Sequence, residues 1–188
     1  RLHTSAVTEE IKDHACDSGI AQKYNINTGD LTLTDANKTS VIYIKNTGED
    51  DMVITALIYN LGATTSGTGD ALIEILRNPT AGDIITNAND CQVGPGVSAN
   101  QNFGSTNSMT SLCYKGATSE GVFTDGVITI PTRSASNTGR IVMSLGAIIL
   151  PKGASLGIDY TPPTSNSSQI VQFAAAVYIL KTAVSDVL

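Results

Sequence analysis

Tryptophan is absent from this chain, histidine occurs only at His3 and His14, and charged residues make up 15% of the sequence. Each scarcity excludes something. Nucleophilic catalysis by Ser or Cys ordinarily needs a histidine base. Both histidines precede the region that reads as folded, so a triad there would require the leader to fold back over the body. Without tryptophan, the aromatic platforms of a glycosidase or lectin cleft must come from three Phe and six Tyr; Tyr114, Phe123 and Tyr160 are the candidates for a stacking face. The eleven Lys and Arg are scattered and the net charge is −6, which argues against a phosphate-binding surface and hence against a nucleic-acid partner. No apolar run approaches the roughly 20 residues of a membrane-spanning helix. The longest, residues 141–150, is broken by Ser144 and Gly146. No membrane partner is expected.

Cys16, Cys91 and Cys113 are an odd number, too few for a complete disulfide framework. Cys91 and Cys113 can pair only if their strands lie side by side, and the simpler reading is three thiols. No CxxC or Cys/His spacing suggests zinc. Glu49-Asp50-Asp51, Asp70 and residues 87–90 offer oxygen ligands without the spacing of a calcium loop. Gly94-Pro95-Gly96 precedes no helix and so cannot act as a phosphate loop. Neither a metal nor a cofactor is expected. Asn37-Lys38-Thr39 and Asn166-Ser167-Ser168 are glycosylation sequons.

What is present is a repeating phrase. Runs rich in Val, Ile, Thr, Tyr and Leu alternate with Gly, Asn, Pro, Ser and Asp clusters, the punctuation of an antiparallel sandwich or barrel. At 188 residues the chain has room for one domain with a real core. Residues 1–23 read as an N-terminal arm, 24–181 as the β-domain and 182–188 as a C-terminal tail. In the arm, Val7, Ile11 and Ala15 fall at helical spacing and Ser18-Gly19 can end a helix; an extended arm fits equally. Arg1 in place of Met is read as either a processed terminus or a trimmed start.

Within the domain, residues 24–26 and 31–33 flank a turn signal at Asn27-Thr28-Gly29-Asp30 and read as a hairpin. Residues 39–45 and 52–59 flank Asn46-Thr47-Gly48-Glu49-Asp50 and read as the clearest hairpin. The second of these strands is apolar on both faces, Val53, Leu57 and Tyr59 against Met52, Ile54, Ala56 and Ile58, and so reads as central and covered on both sides. Further strands are expected at 71–76, 83–86, 109–114, 121–130, 140–150, 155–160 and 169–180. Pro131, Pro151 and Pro162-Pro163 are read as strand terminators. The long polar stretch 87–108 reads as an interface or functional loop. Roughly nine or ten strands make an all-β, antiparallel two-sheet sandwich of jelly-roll type. The expected core is Val41, Tyr43, Ile54, Leu57, Ile75, Ile128, Ile130, Val142, Leu145, Ile158, Val171, Phe173 and Val177.

Among carboxylates, Glu74, Glu120, Asp125 and Asp159 are the candidates for acid–base work. Glu74 sits in an apolar strand and is the one expected to be partly desolvated; its simpler role is a solvent-facing residue paired with Arg77. No catalytic, cofactor-binding or metal residue is assigned, and the chain reads as a non-enzyme.

A set of phrases spread through the body, in order, resembles structural proteins of tailed bacteriophages and environmental viruses. They are Tyr24-Asn25-Ile26-Asn27-Thr28-Gly29, Leu31-Thr32-Leu33-Thr34, Val41-Ile42-Tyr43-Ile44-Lys45-Asn46 and Arg77-Asn78-Pro79-Thr80-Ala81-Gly82. Asn102-Phe103-Gly104-Ser105, Tyr114-Lys115-Gly116-Ala117, Leu150-Pro151-Lys152-Gly153 and Tyr160-Thr161-Pro162-Pro163-Thr164 follow. The resemblance implies a virion component, a capsid decoration or cement protein or a tail-associated subunit, partnered by copies of itself (a trimer or ring) and by capsid protein. It implies no catalytic residue. The alternatives are a subunit of an extracellular filament or surface layer that completes a neighbour's sheet, and a carbohydrate-binding module. Deleting residues 1–19 is expected to leave the domain folded by circular dichroism while reducing the amount recovered with particles. Normal recovery would remove the arm from the attachment.

Overall fold

The computed structural model describes residues 21–34, 37–64, 69–86, 89–91, 99–100, 108–117, 121–135, 139–164 and 168–180. The expectations placed on residues 1–20, on most of the stretch 87–108, on Glu120, on Asn166 and on residues 181–188 lie outside them. The first half of the domain holds β1 (Ala21–Asn27), β2 (Leu31–Leu33), β3 (Thr39–Asn46), β4 (Asp51–Leu61) and β5 (Asp70–Arg77). An insertion follows with a short helix α1 (Asp83–Thr86) and strands β6 (Asn89–Asp90), β7 (Ala99–Asn100) and β8 (Ser111–Lys115). The rest is β9 (Val127–Ala135), β10 (Gly139–Leu150), β11 (Ser155–Thr161) and β12 (Gln169–Leu180).

The strands form two antiparallel sheets. Sheet A runs β10-β4-β12-β1-β7, with β2 also on β12; sheet B runs β6-β8-β3-β11-β5-β9. Taking the principal strands β1, β3, β4, β5, β9, β10, β11 and β12 as first to eighth, one sheet reads first-eighth-third-sixth and the other second-seventh-fourth-fifth. That order is a jelly roll: every connection but one crosses between sheets. The main core lies between the sheets, where Ile26, Ile42, Met52, Leu57, Ile73, Tyr160 and Phe173 are buried. Ala21 to Lys23, assigned to the arm from sequence, are already in β1, paired with residues 178–180.

Both expected hairpins are corrected. β3 and β4 lie in different sheets, so residues 46–51 form a crossover. Buried Asn46 holds it: its Nδ2 donates to the Asp50 carbonyl (2.9 Å) and the Leu150 carbonyl (2.8 Å), and its Oδ1 accepts from the Gly48 N–H (3.0 Å). Its backbone N–H donates to Ala154 O and its carbonyl accepts from Gly153 N–H, at 3.0 and 2.8 Å. β1 and β2 likewise do not pair; they follow one another along the same side of β12. Thr28 bridges them by donating its N–H to Phe173 O (2.9 Å) while its Oγ1 accepts from Phe173 N–H (3.0 Å). Gly29, at φ 63°, lets the chain bend there without reversing.

Register shifts explain the other departures. Ile54 faces Val177 and Ala56 faces Ala176, leaving Thr55 as an extra residue in β4. This bulge reverses the alternation, so Met52 and Ile54 face the core on one side of it and Leu57, Tyr59 and Leu61 on the other. The two apolar faces read from sequence are thus largely one face. β4 is central, between β10 and β12, but Ala56 and Ile58 are only half-buried on its outer side. In β9, Ile130 pairs with Ile75 and Ile128 with Leu76; the extra Thr129 turns Ile128 outward, 47% exposed. Val142, opposite Ile58, is also outside at 57% exposure, while Ile141, Met143 and Leu145 pack inward. Ile128 and Val142 are therefore not core residues. Pro131 does not end a strand: it sits within β9 opposite Glu74. β9 is an edge strand, where a missing N–H is tolerated.

The expected strand at 83–86 is the helix α1, and residues 121–126 are not a strand; both lie with the insertion over the outer face of sheet B. Ile84 and Phe123 pack there on Leu76 and on Tyr43, which is buried beneath the insertion rather than between the sheets. Tyr43 stacks on Tyr114 and contacts Phe123, each at 6.1 Å between ring centroids. Gly157 makes room: a Cβ there would lie 2.5 Å from the Phe123 ring and 2.8 Å from Pro79. Asn46→Ala should cost about 3 kcal/mol, because it leaves the buried Leu150 carbonyl unpaired and frees the turn. Urea denaturation with an unchanged m-value measures it, and a loss under about 0.5 kcal/mol would contradict the role.

Candidate functional site

Strand register builds the one ionisable cluster of note among the described residues. Ser40 on β3 faces Asp159 on β11, and Asp159 faces Glu74 on β5, so the three stand in a row on the outer face of sheet B. Two carboxylates side by side across strands repel one another. Lys38 offsets this, with its Nζ 2.6 Å from Glu74 Oε2 and 3.3 Å from Asp159 Oδ2. Ser40 Oγ donates to Asp159 Oδ1 at 2.7 Å. The loop from the insertion closes over the row: the Ser40 N–H donates to the Gly121 carbonyl (3.1 Å), and the Phe123 N–H hydrogen-bonds the Asp159 carboxylate.

Asp159 is 1% exposed, and burial raises its pKa above the ordinary carboxylate value against the opposing pull of Ser40, Lys38 and Phe123. For Lys38, burial pulls downward, but the bond to Glu74 and the charge of Asp159 leave its pKa raised. Sequence reasoning singled out Glu74 as the desolvated carboxylate and missed the deeper one. Asp159 alternates with core residues Ile158 and Tyr160, which reads as a solvent-facing position. Only the overlying insertion, distant in sequence, buries it. Glu74 pairs with Lys38 and not with Arg77, because residues three apart on a strand point to opposite faces.

Asp125 is engaged elsewhere. Its carboxylate accepts from the Thr80 hydroxyl, the Thr80 N–H and the Ala81 N–H, and these bonds lower its pKa. It ties residues 80–81 to the start of β9. Glu49 pairs with Lys152. Asp70 is exposed. Among the described residues no group of three or more His, Cys, Asp or Glu gathers as a metal site, and no helix is long and apolar enough to cross a membrane. Cys91 and Cys113 are buried thiols whose segments lie side by side, Cys91 N–H donating to Cys113 O at 3.1 Å. Asn37 of the first sequon is exposed.

The aromatic candidates for a stacking face are occupied. Tyr160 is fully buried, its hydroxyl donating to Gln169 Oε1 at 2.7 Å and its pKa raised by burial. Phe123 is 6% exposed and Tyr114 is stacked on Tyr43. Chemically, the Lys38–Asp159–Glu74–Ser40 row acts as a tether: it fastens the insertion to sheet B from a position sealed from solvent at Asp159.

No protein-family model and no curated protein sequence matches the chain. The solved structures that align with it include particles of infectious bursal disease virus. T=1 particles derived from that virus align at 11% identity and TM-score 0.18, over 87% of this chain and 41% of theirs. The VP2 subviral particle aligns at 8% identity and TM-score 0.17, over 89% and 44%. The chain spans about two-fifths of the length of these proteins. Such scores do not amount to a shared fold. The class this chain belongs to rests on its own topology, a jelly-roll β-sandwich.

The tether predicts a pH-dependent phenotype. Lys38→Met leaves Asp159 as a buried charge without its cation, and should cost about 2 kcal/mol at pH 7 after allowing for the partial exposure of Lys38. Asp159 titrates above its unfolded value, so the folded protein takes up its proton first as pH falls. The cost should therefore shrink toward about pH 4. Asp159→Asn, which can keep the Ser40 bond without a charge, should cost less than Asp159→Ala at neutral pH. Denaturant titrations at several pH values measure both; a Lys38→Met loss that grows on acidification would refute the assignment.

Proposed function

We propose that this chain is a structural protein of a virion, acting as a capsid decoration or cement subunit or as a tail-associated subunit, with no catalytic role. The observation that carries the reading is how the polar and apolar surfaces are used. The buried ionisable cluster is consumed in fastening the insertion to sheet B. The outer face of sheet A, by contrast, presents uncharged rows, Val142–Ile58–Ala174 and Ser144–Ala56–Ala176, set by register across β10, β4 and β12. A face of small and β-branched residues suits contact with other protein surfaces. The ordered phrases resembling phage and environmental-virus structural proteins support the same reading. Fold alone does not, because jelly rolls serve many functions.

In this reading the partners are copies of the chain itself and the capsid or other virion proteins, and the location is the particle. Particles purified from the source of the sequence, examined by mass spectrometry and by antibody-labelled negative-stain imaging, should contain the chain at a fixed ratio to capsid protein. Its absence from purified particles would overturn the proposal.

A further inference from the structure

The two long sides of the sandwich are finished differently. On one side the insertion continues both sheets, β7 adding to β1 in sheet A and β8 and β6 adding beyond β3 in sheet B. On the other side β9 and β10 end their sheets, each pairing on one side only among the described residues. Among the described residues, four of the seven exposed large hydrophobic side chains lie on these two strands: Val127, Ile128, Val142 and Ile149. Between the strands opens a cleft of about 340 Å³ whose lining includes Ile75, Ile130, Ile148, Ile149 and Leu156.

Neither strand presents a plain ladder to a newcomer. Pro131 interrupts β9, and β10 leaves register with β4 between Ser144 and Ile148, with Gly146 at φ 67°. Such features discourage strand addition. What this edge offers is side-chain packing around an apolar cleft.

We propose that the β9–β10 edge is a self-association surface, and that its occupant is the same edge of a second copy, packed about a two-fold axis near Ile149. The inference rests on the reading of the chain as an assembling structural subunit and names the surface that reading leaves open. Charge is what selects a second copy. Along its twelve residues β10 carries one charged side chain, Arg140, and β9 carries one along its nine, the exposed Arg133. Arg77 stands on the lip of the cleft and pairs in register with Val127, two residues beyond Asp125. Opposite charges thus share one end of the edge. A two-fold contact is isologous, so if Arg77 of one copy meets Asp125 of the other, the reciprocal pair forms as well.

The size of the surface sets the strength. An edge about 10 Å deep and roughly 30 Å long, with its cleft, buries on the order of 500 Å² per copy. About 1,000 Å² in total is the lower limit of a specific interface, so the isolated contact is weak. Repetition on a particle multiplies weak contacts into stable attachment.

Sedimentation velocity of the full chain from about 1 µM to about 1 mM tests this. The wild type should pass from monomer to dimer over that range. Ile149→Glu and Ile128→Glu, both at exposed positions, should each raise the dissociation constant about tenfold or more with an unchanged circular dichroism spectrum. Val127→Lys serves if either fails to fold. Leu112→Glu and Ile170→Glu, exposed apolar positions off this edge, should leave it unchanged. A wild type that stays monomeric throughout, or a dimer broken by Leu112→Glu and not by Ile149→Glu, overturns the proposal. A chain found in particles yet monomeric sinks only this inference. A chain that dimerises through Ile149 yet is absent from particles sinks only the virion reading.

Discussion

The jelly roll depends on a single buried amide. A chain that changes sheets at nearly every connection must bury polar backbone where it leaves one sheet and enters the other, and an unmet carbonyl there is costly. Asn46 sits where two such passages meet. Its side chain holds the turn into β4 and the end of β10, and its backbone holds the turn that begins β11. Every donor and acceptor of this residue that can be paired is paired within the protein. An aspartate would lose both side-chain donors, and a leucine would lose all of the side-chain bonds. The residue therefore joins β3–β4 and β10–β11, four of the eight principal strands, into one topology.

The insertion between β5 and β9 is the second organising feature. By covering the outer face of sheet B it turns that sheet into a middle layer with apolar contacts on both sides. Tyr43, Leu76, Ile84 and Phe123 form the small outer core, and Gly157 lets the Phe123 ring lie against the strand backbone. The adjoining row of Ser40, Asp159 and Glu74 with Lys38 adds orientation to this packing. A buried ionic group gives little net stability, since desolvation offsets its attraction. Its effect is selectivity: the loop carrying Gly121 and Phe123 has one position in which Asp159 keeps its partners.

The same insertion makes the molecule asymmetric. It lengthens both sheets beyond β1 and β3 and leaves β9 and β10 as the opposite boundary. The apolar side chains left outside cluster at that boundary, and the uncharged rows of sheet A lead up to it. A sandwich whose sheets are extended along one side and whose exposed apolar side chains lie mainly along the other has two unlike edges.

Much of this was legible in the residues. Alternation and turn punctuation located most of the long strands, and ten of the thirteen expected core positions are buried or pack against the core between the sheets. Those signals are local, a strand's period and a turn's backbone demands, and a local signal survives without knowledge of the partner. The failures share one cause. Asn46–Asp50 and Asn27–Asp30 announce turns, but a turn does not say whether the chain pairs with itself or crosses to another sheet. Thr55 and Thr129 are extra residues only relative to β12 and β5, so Ile128 faces outward for a reason written in another strand. Asp159 reads as solvent-facing until residues 121–123 lie over it. The all-β class and the extent of most strands are written in the chain locally, because period and backbone preference are carried within each segment. Sheet membership, bulge position and the burial of Asp159 were decided by the tertiary structure, because each depends on which distant segment supplies the neighbouring hydrogen bonds.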